Sequence, residues 1–254
     1  MADHPNFKDH FADVSSHYAA HRPTYPPDLF SWLASKSDPV SLAWDCATGT
    51  GQAACAIGRY FPQVIATDAS AEQIAAAKPC PNVTYHVAPA DASGIAAHTA
   101  NLITVAQALH WFDLTSFYAE VSRVAAKNCL IAVWTYGVFN AKGPDSERIQ
   151  TLLDHFYYDV VGNYWPPERS HVENGYQNLN FPFTEIQTPP FEMSQDWNIS
   201  HLIGYLRSWS ATSRYIKTVG KDPVSELELQ LSPIWGPGPR RIVWPLSIKA
   251  GRIN

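Results

Sequence analysis

The sequence has few cysteines, no long apolar run and no cluster of positive charge. Its cysteines form no C-x-x-C pair, so we expect reduced, mostly buried thiols rather than a disulfide framework or a zinc site; the four are Cys46, Cys55, Cys80 and Cys129. No apolar stretch approaches the roughly 18 residues that a membrane span requires. Residues 1–11 carry charges where a signal peptide would need an apolar core. These absences predict a cytoplasmic protein without a membrane partner.

Acidic side chains outnumber basic ones. Lys and Arg together number 18 against 23 Asp and Glu, so the formal net charge is −5. The longest basic run is Arg240-Arg241, and no nucleic-acid partner is expected, because such proteins carry a basic patch or stripe. A chain of 254 residues falls between one and two domains at about 150 residues per domain. We predict a single domain over residues 1–254, as a monomer or a dimer.

Short apolar runs alternate with helical ones between residues 42 and 135. This alternation predicts parallel strands that are joined by crossover helices and covered on both faces. Ser70 followed by Gln73, and Asp113 ahead of an amphipathic repeat, indicate helix starts. The five predicted strands are Leu42–Cys46, Val64–Thr67, Val83–Val87, Leu102–Ala106 and Cys129–Thr135.

The regions on either side of this core are mainly helical. Residues 1–37 are predicted to form two helices, broken at Arg22–Pro27, that lie over the sheet as a lid. Residues 138–254 are predicted to hold two aromatic helical segments and two more strands: helices at about Asp145–Asn178 and Asn198–Ile234, and strands near Phe183–Thr188 and at Ile242–Ile248. Five of the nine tryptophans lie in this part. They indicate either packing or an aromatic-walled pocket for an organic ligand. The pairs Tyr157-Tyr158 and Tyr164-Trp165 are expected in the core.

A loop with two glycines follows the first predicted strand and contains, in order, Asp45, Gly49 and Gly51. Glycines at this position let the backbone turn sharply and approach a ligand. Asp68 ends the second strand, where a carboxylate can accept hydrogen bonds from both hydroxyls of an adenosine ribose. The sequence therefore predicts a nucleotide-type site, and a tight turn without a ligand is the structural alternative.

The segment Gly49–Ala54 also matches G-x-G-x-x-A, the dinucleotide fingerprint, so an NAD-dependent oxidoreductase is an alternative function. Asp45 at the head of the loop favours a ligand with an ammonium or sulfonium group, because a carboxylate repels a pyrophosphate. Charge therefore favours a cationic adenosine derivative.

These residues resemble the class I S-adenosylmethionine-dependent methyltransferases, and the resemblance spans most of the chain. Asp45-x-x-x-Gly49-x-Gly51 is similar to their first motif, Asp68 to the ribose-binding acid, Ala90-Asp91 to the adenine-contacting pair, and Gln107–Phe112 to the fourth motif. The resemblance implies S-adenosylmethionine as the cofactor, with residues 38–137 as the cofactor-binding core. It also implies a doubly wound, mostly parallel seven-stranded α/β sheet with helical insertions.

One residue of the loop departs from the family pattern. Ala47 stands where family members usually carry glycine, and a left-handed backbone there costs about 1–2 kcal/mol with alanine. The sequence therefore predicts either a reshaped loop or weaker cofactor binding. Ala47 and the absence of an obligatory catalytic residue leave a second alternative, a non-catalytic S-adenosylmethionine-binding protein.

A narrower similarity points to the small-molecule branch that contains trans-aconitate methyltransferase. Three stretches carry it: Tyr18 to Pro26, His110 to Phe112, and Leu206 to Tyr215. The similarity implies a small organic methyl acceptor, with a carboxylate as one candidate. Among the side chains of these stretches, Tyr18, Arg22, Tyr25, Trp209 and Arg214 are the predicted acceptor contacts. Arg22 and Arg214 form a candidate clamp, since guanidinium groups bind carboxylates through two hydrogen bonds; solvated surface residues are the alternative for each.

The turn after the fourth strand supplies the predicted contacts near the methyl group. The backbone carbonyl of Gln107 could accept a hydrogen bond from the cofactor ammonium, and Trp111 or Tyr18 could lie against the sulfonium. His110, expected to titrate near neutral pH, is either a general base or a residue that shapes the pocket. No metal site is expected, because His17 and His21 lack an evident third ligand.

Overall fold

Seven strands form one mostly parallel sheet in the computed structural model, which describes residues 22–253. The strand order is β3-β2-β1-β4-β5-β10-β7, with β10 antiparallel to both of its neighbours. Within residues 22–253 the chain forms ten strands: β1 Leu42–Cys46, β2 Gln63–Asp68, β3 Val83–Val87, β4 Ala100–Ala106, β5 Ala125–Tyr136, β6 Asn140–Ala141, β7 Thr184–Glu185, β8 Met193–Trp197, β9 Arg240–Trp244 and β10 Leu246–Ile253. The predicted fold class is confirmed. All five core strands were correctly located, although β5 begins four residues earlier than expected, at Ala125 rather than Cys129.

Helices cover both faces of this sheet, as a doubly wound fold requires. They are α1 Pro27–Lys36, α2 Gln52–Ile57, α3 Ala71–Ala75, α4 Leu114–Val124, α5 Ser146–Asp154, α6 Arg169–Glu173, α7 Ile199–Arg207, α8 Ser210–Val219 and α9 Pro223–Trp235. Two predicted helix starts are confirmed. The Asp113 carboxylate accepts from the backbone N–H of Ser116 at 2.8 Å, and the Ser70 hydroxyl accepts from that of Gln73 at 3.3 Å.

The helix α1 belongs to the segment that was predicted to form a lid. Its buried residues Leu29 and Leu33 pack with Ala43 of β1 and Leu102 of β4, together with α2. This part of the predicted lid is therefore a core helix on one face of the sheet. The helix expected before it, with Tyr18, His17 and His21, lies outside the described residues.

A second, smaller sheet corrects the prediction for the C-terminal part. Strands β6, β9 and β8 form an antiparallel sheet in that order, which was not predicted. The single strand expected at Ile242–Ile248 is two strands, since β9 belongs to the small sheet and β10 to the large one. Pro245 separates them, because proline lacks the N–H that a continuous ladder needs. The strands β7 and β10, which end the large sheet, flank an insertion with α7, α8 and α9, as expected.

The cysteines also correct an expectation. Cys55 of α2 and Cys80, which follows α3, form a disulfide with their Cα atoms 5.6 Å apart, so not all four cysteines are thiols. The prediction failed because these residues are 25 positions apart and approach only after two helices have packed along the same sheet. Cys46 and Cys129 are buried free thiols, as predicted.

The described part of the chain holds neither a candidate membrane span nor a candidate metal cluster. None of its helices is both long enough and apolar enough to cross a membrane. Between residues 22 and 253 there is no group of three or more His, Cys, Asp or Glu side chains that could hold a metal ion.

Candidate active site

The loop between β1 and α2 takes a left-handed backbone at three residues. The φ angles are +53° at Ala47, +56° at Gly49 and +87° at Gly51. A Cβ at Gly51 would overlap the hydroxyl of Tyr85, so only glycine fits there. Ala47 keeps the left-handed conformation in spite of its side chain. Of the two outcomes expected at Ala47, a reshaped loop is not seen, because the backbone at Ala47 is left-handed.

Asp45 lies beneath this loop. Its side chain is only 1% exposed, and its carboxylate accepts hydrogen bonds from the hydroxyls of Thr104 and Thr48, both at 2.6 Å. Burial raises the pKa of Asp45 to about 6, and the hydrogen bonds oppose that shift. Asp45 therefore ties the loop to β4, and its contact with a cofactor stays a prediction.

Asp68 ends β2 beside the loop. One carboxylate oxygen accepts from the N–H of Gly49 at 2.8 Å, and the other accepts from the N–H of Ser70 at 2.9 Å. These two contacts hold the carboxylate at the edge of the loop. Ala90 and Asp91 follow β3 nearby; Ala90 is half-buried and Asp91 is exposed.

Gln107 connects the ends of β4 and β5. Its side-chain amide donates to the carbonyl of Tyr136 at 3.3 Å and accepts from the hydroxyl of Thr135 at 2.5 Å. The backbone of Gln107 is left-handed, with φ +60°. These contacts hold the turn that leads to His110 and Trp111.

His110 lies in the 3-10 turn Leu109–Trp111. Its Nδ1 atom is 2.8 Å from the hydroxyl of Tyr176, and its ring centroid is 4.7 Å from that of Trp111. Burial lowers the pKa of His110 to about 3, with further contributions from the charges of Arg169 and His171. The expectation that His110 titrates near neutral pH is therefore wrong, because its surroundings are desolvated and positive.

An aromatic cluster adjoins this end of the sheet. Trp209 lies at its centre, with ring centroids 5.4 Å from Trp165, 5.7 Å from Tyr157 and 5.6 Å from Tyr205. Tyr205 shares a buried cluster with Tyr136, the last residue of β5. We use the name aromatic cluster for Tyr157, Trp165, Tyr205 and Trp209. Tyr157 is fully buried, as expected. The core expectation is wrong for Tyr158, which is exposed, and Tyr164 and Trp165 are only half-buried.

The structure gives the two arginines of the predicted clamp different partners. Arg22 donates from Nη1 to the hydroxyl of Tyr136 at 3.4 Å, and its charge also acts on Tyr205 of the aromatic cluster. Tyr25 lies on the same side, with its ring centroid 6.3 Å from that of Tyr136. Arg214 donates to the carbonyl of Tyr164 at 3.3 Å, which is a contact within the insertions.

Arg169 is a charged residue of this region that sequence reasoning missed. Its guanidinium carbon lies 4.6 Å from the centroid of the Trp165 ring, and it is the first residue of α6. The only signal in the sequence is an isolated basic residue shortly after a run of aromatic ones. Tyr136, Tyr176 and Tyr205 were also missed, because nothing in their local sequence distinguishes them from core tyrosines.

Comparisons with known proteins agree on one family. The methyltransferase domain family matches residues 44–133. A Dictyostelium discoideum protein, provisionally named as a methyltransferase, is 34% identical over 224 residues, which cover 87% of this chain and 84% of the relative. A methyltransferase of Aspergillus candidus is 30% identical over 69% of this chain and 62% of its own. A solved Anaeromyxobacter dehalogenans structure, provisionally described as a type II methyltransferase, has a TM-score of 0.84 and 39% identity, covering 91% of this chain and 98% of that one.

Proposed function

Since the chain belongs to the class I S-adenosylmethionine-dependent methyltransferases, we propose that it methylates a small organic acceptor that carries a carboxylate. Membership of this family decides against the NAD-dependent oxidoreductase and against a binding protein without activity. The observation that carries the choice of acceptor is the aromatic cluster beside Tyr136, at the end of β5, together with the guanidinium of Arg22. Aromatic walls and a few charged groups are typical of small-molecule sites.

The residues at the loop fit S-adenosylmethionine. The left-handed turns at Ala47, Gly49 and Gly51 bring backbone to the edge of the sheet, and the Asp68 carboxylate lies beside Gly49, at the strand end where an acidic residue can bind ribose hydroxyls. We propose that this loop and Asp68 hold the adenosine part, with Ala90 and Asp91 at the adenine. When bound, the cofactor supplies a methyl group that is activated by its attachment to sulfonium.

A carboxylate acceptor suits the chemistry that His110 allows. A carboxylate gives up no proton when it becomes a methyl ester, so the site needs no general base. Because the pKa of His110 is lowered to about 3 by burial, its imidazole is neutral at neutral pH and is a weak base. We therefore propose that His110 and Trp111 shape the pocket, and that Gln107 positions the turn that carries them.

Within the family, we propose a place beside the branch that contains trans-aconitate methyltransferase. The stretches His110–Phe112 and Leu206–Tyr215 support it, and Trp209, from the second stretch, is central to the aromatic cluster. Tyr18, the remaining predicted acceptor contact, lies outside the described residues. We also propose that the protein acts in the cytoplasm without a nucleic-acid partner, as a monomer or a dimer. A cytoplasmic location would be contradicted if all of the protein isolated from cells carried the Cys55–Cys80 disulfide.

Transfer of a labelled methyl group tests the proposed acceptor. Purified protein is incubated with methyl-labelled S-adenosylmethionine and a panel of small carboxylic acids, each paired with its primary amide. We expect label in one or more of the acids as base-labile methyl esters and none in the matched amides. An Asp68→Ala variant serves as the control that loses cofactor binding. Label in amides or amines alone would contradict the proposed acceptor class, whereas a lack of S-adenosylhomocysteine binding in a calorimetric titration would contradict the proposed cofactor site.

A further inference from the structure

We infer that Arg169 is the residue that holds the carboxylate of the acceptor, through the two terminal nitrogens of its guanidinium. The inference rests on the proposed function, since it names the residue that selects the proposed acceptor class. It adds a residue from α6, outside the loop motifs and outside the predicted pair Arg22 and Arg214.

The guanidinium of Arg169 is held in place on one edge only. Its Nε atom donates to the hydroxyl of Tyr157 at 2.7 Å, and that hydroxyl donates in turn to Glu173 at 2.5 Å. The guanidinium carbon lies over the Trp165 ring at 4.6 Å and over the Tyr157 ring at 5.4 Å. Stacking on aromatic rings and a single bond at Nε orient the group before any ligand arrives, which reduces the entropy cost of binding.

The other edge of the guanidinium is open. Between residues 22 and 253, no hydrogen bond or ion pair uses Nη1 or Nη2 of Arg169, while the side chain is only 21% exposed. Glu173 lies at 3.9 Å from Nε, so it sits on the edge that Tyr157 already occupies. Neither terminal nitrogen is buried away from solvent, so this edge of the guanidinium is accessible to a ligand. A carboxylate matches that fork with two parallel hydrogen bonds.

Arg169 lies between two parts of the candidate site, the aromatic cluster and the turn that carries His110. α6 packs against the 3-10 turn that carries His110. Burial is the main cause of the shifted pKa values of His110, Tyr176 and Tyr205, and the charge of Arg169 contributes a lowering to each. These three side chains come from the turn after β4, the segment after α6, and α7. The guanidinium therefore lies among the elements that surround the end of the sheet.

The two arginines of the predicted clamp differ from Arg169. Arg214 donates to a backbone carbonyl of the insertions. Arg22 donates from Nη1 to Tyr136, and its charge also acts on Tyr205, so it adds positive potential at the same tyrosine. Arg169 thus supplies the fork that binds the carboxylate, and Arg22 supplies a second positive charge.

Binding of a matched acid and amide tests the inference without requiring turnover. The probes are 3-phenylpropanoate and 3-phenylpropanamide, which combine an aromatic ring with either a charged or a neutral end. Each is titrated calorimetrically into the full-length protein saturated with S-adenosylhomocysteine. We expect the wild type to bind the acid at least about 10-fold more tightly than the amide, since hydrogen bonds to charged groups are worth that much or more. Arg169→Gln should bind the acid as weakly as the amide, with unchanged affinity for the amide and for S-adenosylhomocysteine.

Two further variants keep the test decisive. Arg169→Lys retains the charge without the planar fork, so it should lose part of the preference for the acid, and it decides the matter if Arg169→Gln does not fold. Arg148→Gln is the matched control, because Arg148 is 72% exposed and lies 4.0 Å from Asp145; it should behave as the wild type.

The inference and the proposed function fail in different ways. A folded Arg169→Gln variant that keeps the preference for the acid overturns the inference, and so does a wild type that binds the acid no better than the amide. Methyl transfer that is found only to neutral acceptors instead overturns the proposed function. Transfer to an acid whose KM is the same in Arg169→Gln overturns the inference alone.

Discussion

The hydroxyl of Tyr176 and the Nδ1 atom of His110 lie 2.8 Å apart and link the segment after α6 to the turn after β4. Burial raises the pKa of Tyr176, so its hydroxyl stays protonated at neutral pH and can donate to Nδ1 of a neutral imidazole. The same burial lowers the pKa of His110 to about 3. This pair therefore stabilises an uncharged histidine at the end of the sheet.

We predict that His110 does not titrate between pH 5 and 8. In the folded protein its pKa lies below the value of about 6.5 found for an unperturbed histidine, so protonation favours the unfolded state. The contribution of His110 to stability is therefore fully present above about pH 6.5 and is lost as the pH falls towards the folded pKa. The measurement is a pH series of the imidazole NMR signals, assigned with a His110→Asn variant.

The same variant separates the two roles of His110. If His110 shapes the pocket, His110→Asn should lower kcat by less than about 10-fold, whereas loss of a general base typically costs about 100- to 10,000-fold. Tyr176→Phe should lower kcat only slightly, since it leaves the imidazole of His110 neutral. An activity limb near pH 6.5 that disappears in His110→Asn would contradict the prediction.

The charge of Asp45 should favour the sulfonium form of the cofactor. Its carboxylate is buried beneath the loop, where an interaction with a nearby positive charge is weakly screened. We predict that Asp45→Asn weakens binding of S-adenosylmethionine by about 3- to 10-fold more than binding of the uncharged thioether S-adenosylhomocysteine. Calorimetric titrations of both ligands measure the difference.

The pH dependence of this preference provides a second check. Burial raises the pKa of Asp45 to about 6, so the preference for the sulfonium form should be present above that pH and decline below it. The exposed Glu147 offers a control, since Glu147→Gln removes one negative charge away from the loop. Equal losses for both ligands in Asp45→Asn would show that the residue acts only by tying Thr48 to Thr104.

The Cys55–Cys80 disulfide should contribute to stability. It closes a separation of 25 residues, for which restriction of the unfolded chain corresponds to about 3.5 kcal/mol. We predict that Cys55→Ser with Cys80→Ser lowers the free energy of unfolding by about 2–4 kcal/mol, measured in denaturant. A reducing agent should have the same effect on the wild type and no effect on the double variant.

Thiol counts provide the matched control for this prediction. Cys46 and Cys129 are free and buried, so unfolded but unreduced protein should react with two equivalents of a thiol reagent and reduced protein with four. Four reactive thiols before reduction would show that the disulfide does not form under those conditions.

The five core strands could be predicted because each is a short, mostly apolar run that ends at a turn or a helix start. Asp68 and Gly49 also follow from sequence, since the carboxyl ends of neighbouring parallel strands share one edge of the sheet. Local chemistry determines such features. The helix starts at Ser70 and Asp113 are predictable for the same reason.

The features that were missed depend on contacts between distant parts of the chain. Cys55 and Cys80 approach only after helices have packed on the sheet, and Arg169 meets Tyr157 and Trp165 only once the insertions have folded. From sequence we expected His110 to have the pKa of an isolated histidine, because sequence does not show how deeply a turn is buried. The cationic cofactor inferred from Asp45 agrees with the family, but the position of this carboxylate beneath the loop depends on Thr104 of another strand.

The left-handed loop yields a pair of predictions of opposite sign. Ala47 has φ +53°, which costs about 1–2 kcal/mol with a side chain, while glycine adds about 0.4–1 kcal/mol of entropy to the unfolded chain. We therefore expect Ala47→Gly to raise the free energy of unfolding by about 0.5–1 kcal/mol and to bind S-adenosylhomocysteine at least as tightly. Gly51→Ala, with φ +87° and a Cβ that would overlap Tyr85, should lower stability and weaken binding, because the loop must move. Denaturant unfolding and calorimetry measure both, and a less stable Ala47→Gly would contradict the strain assigned to Ala47.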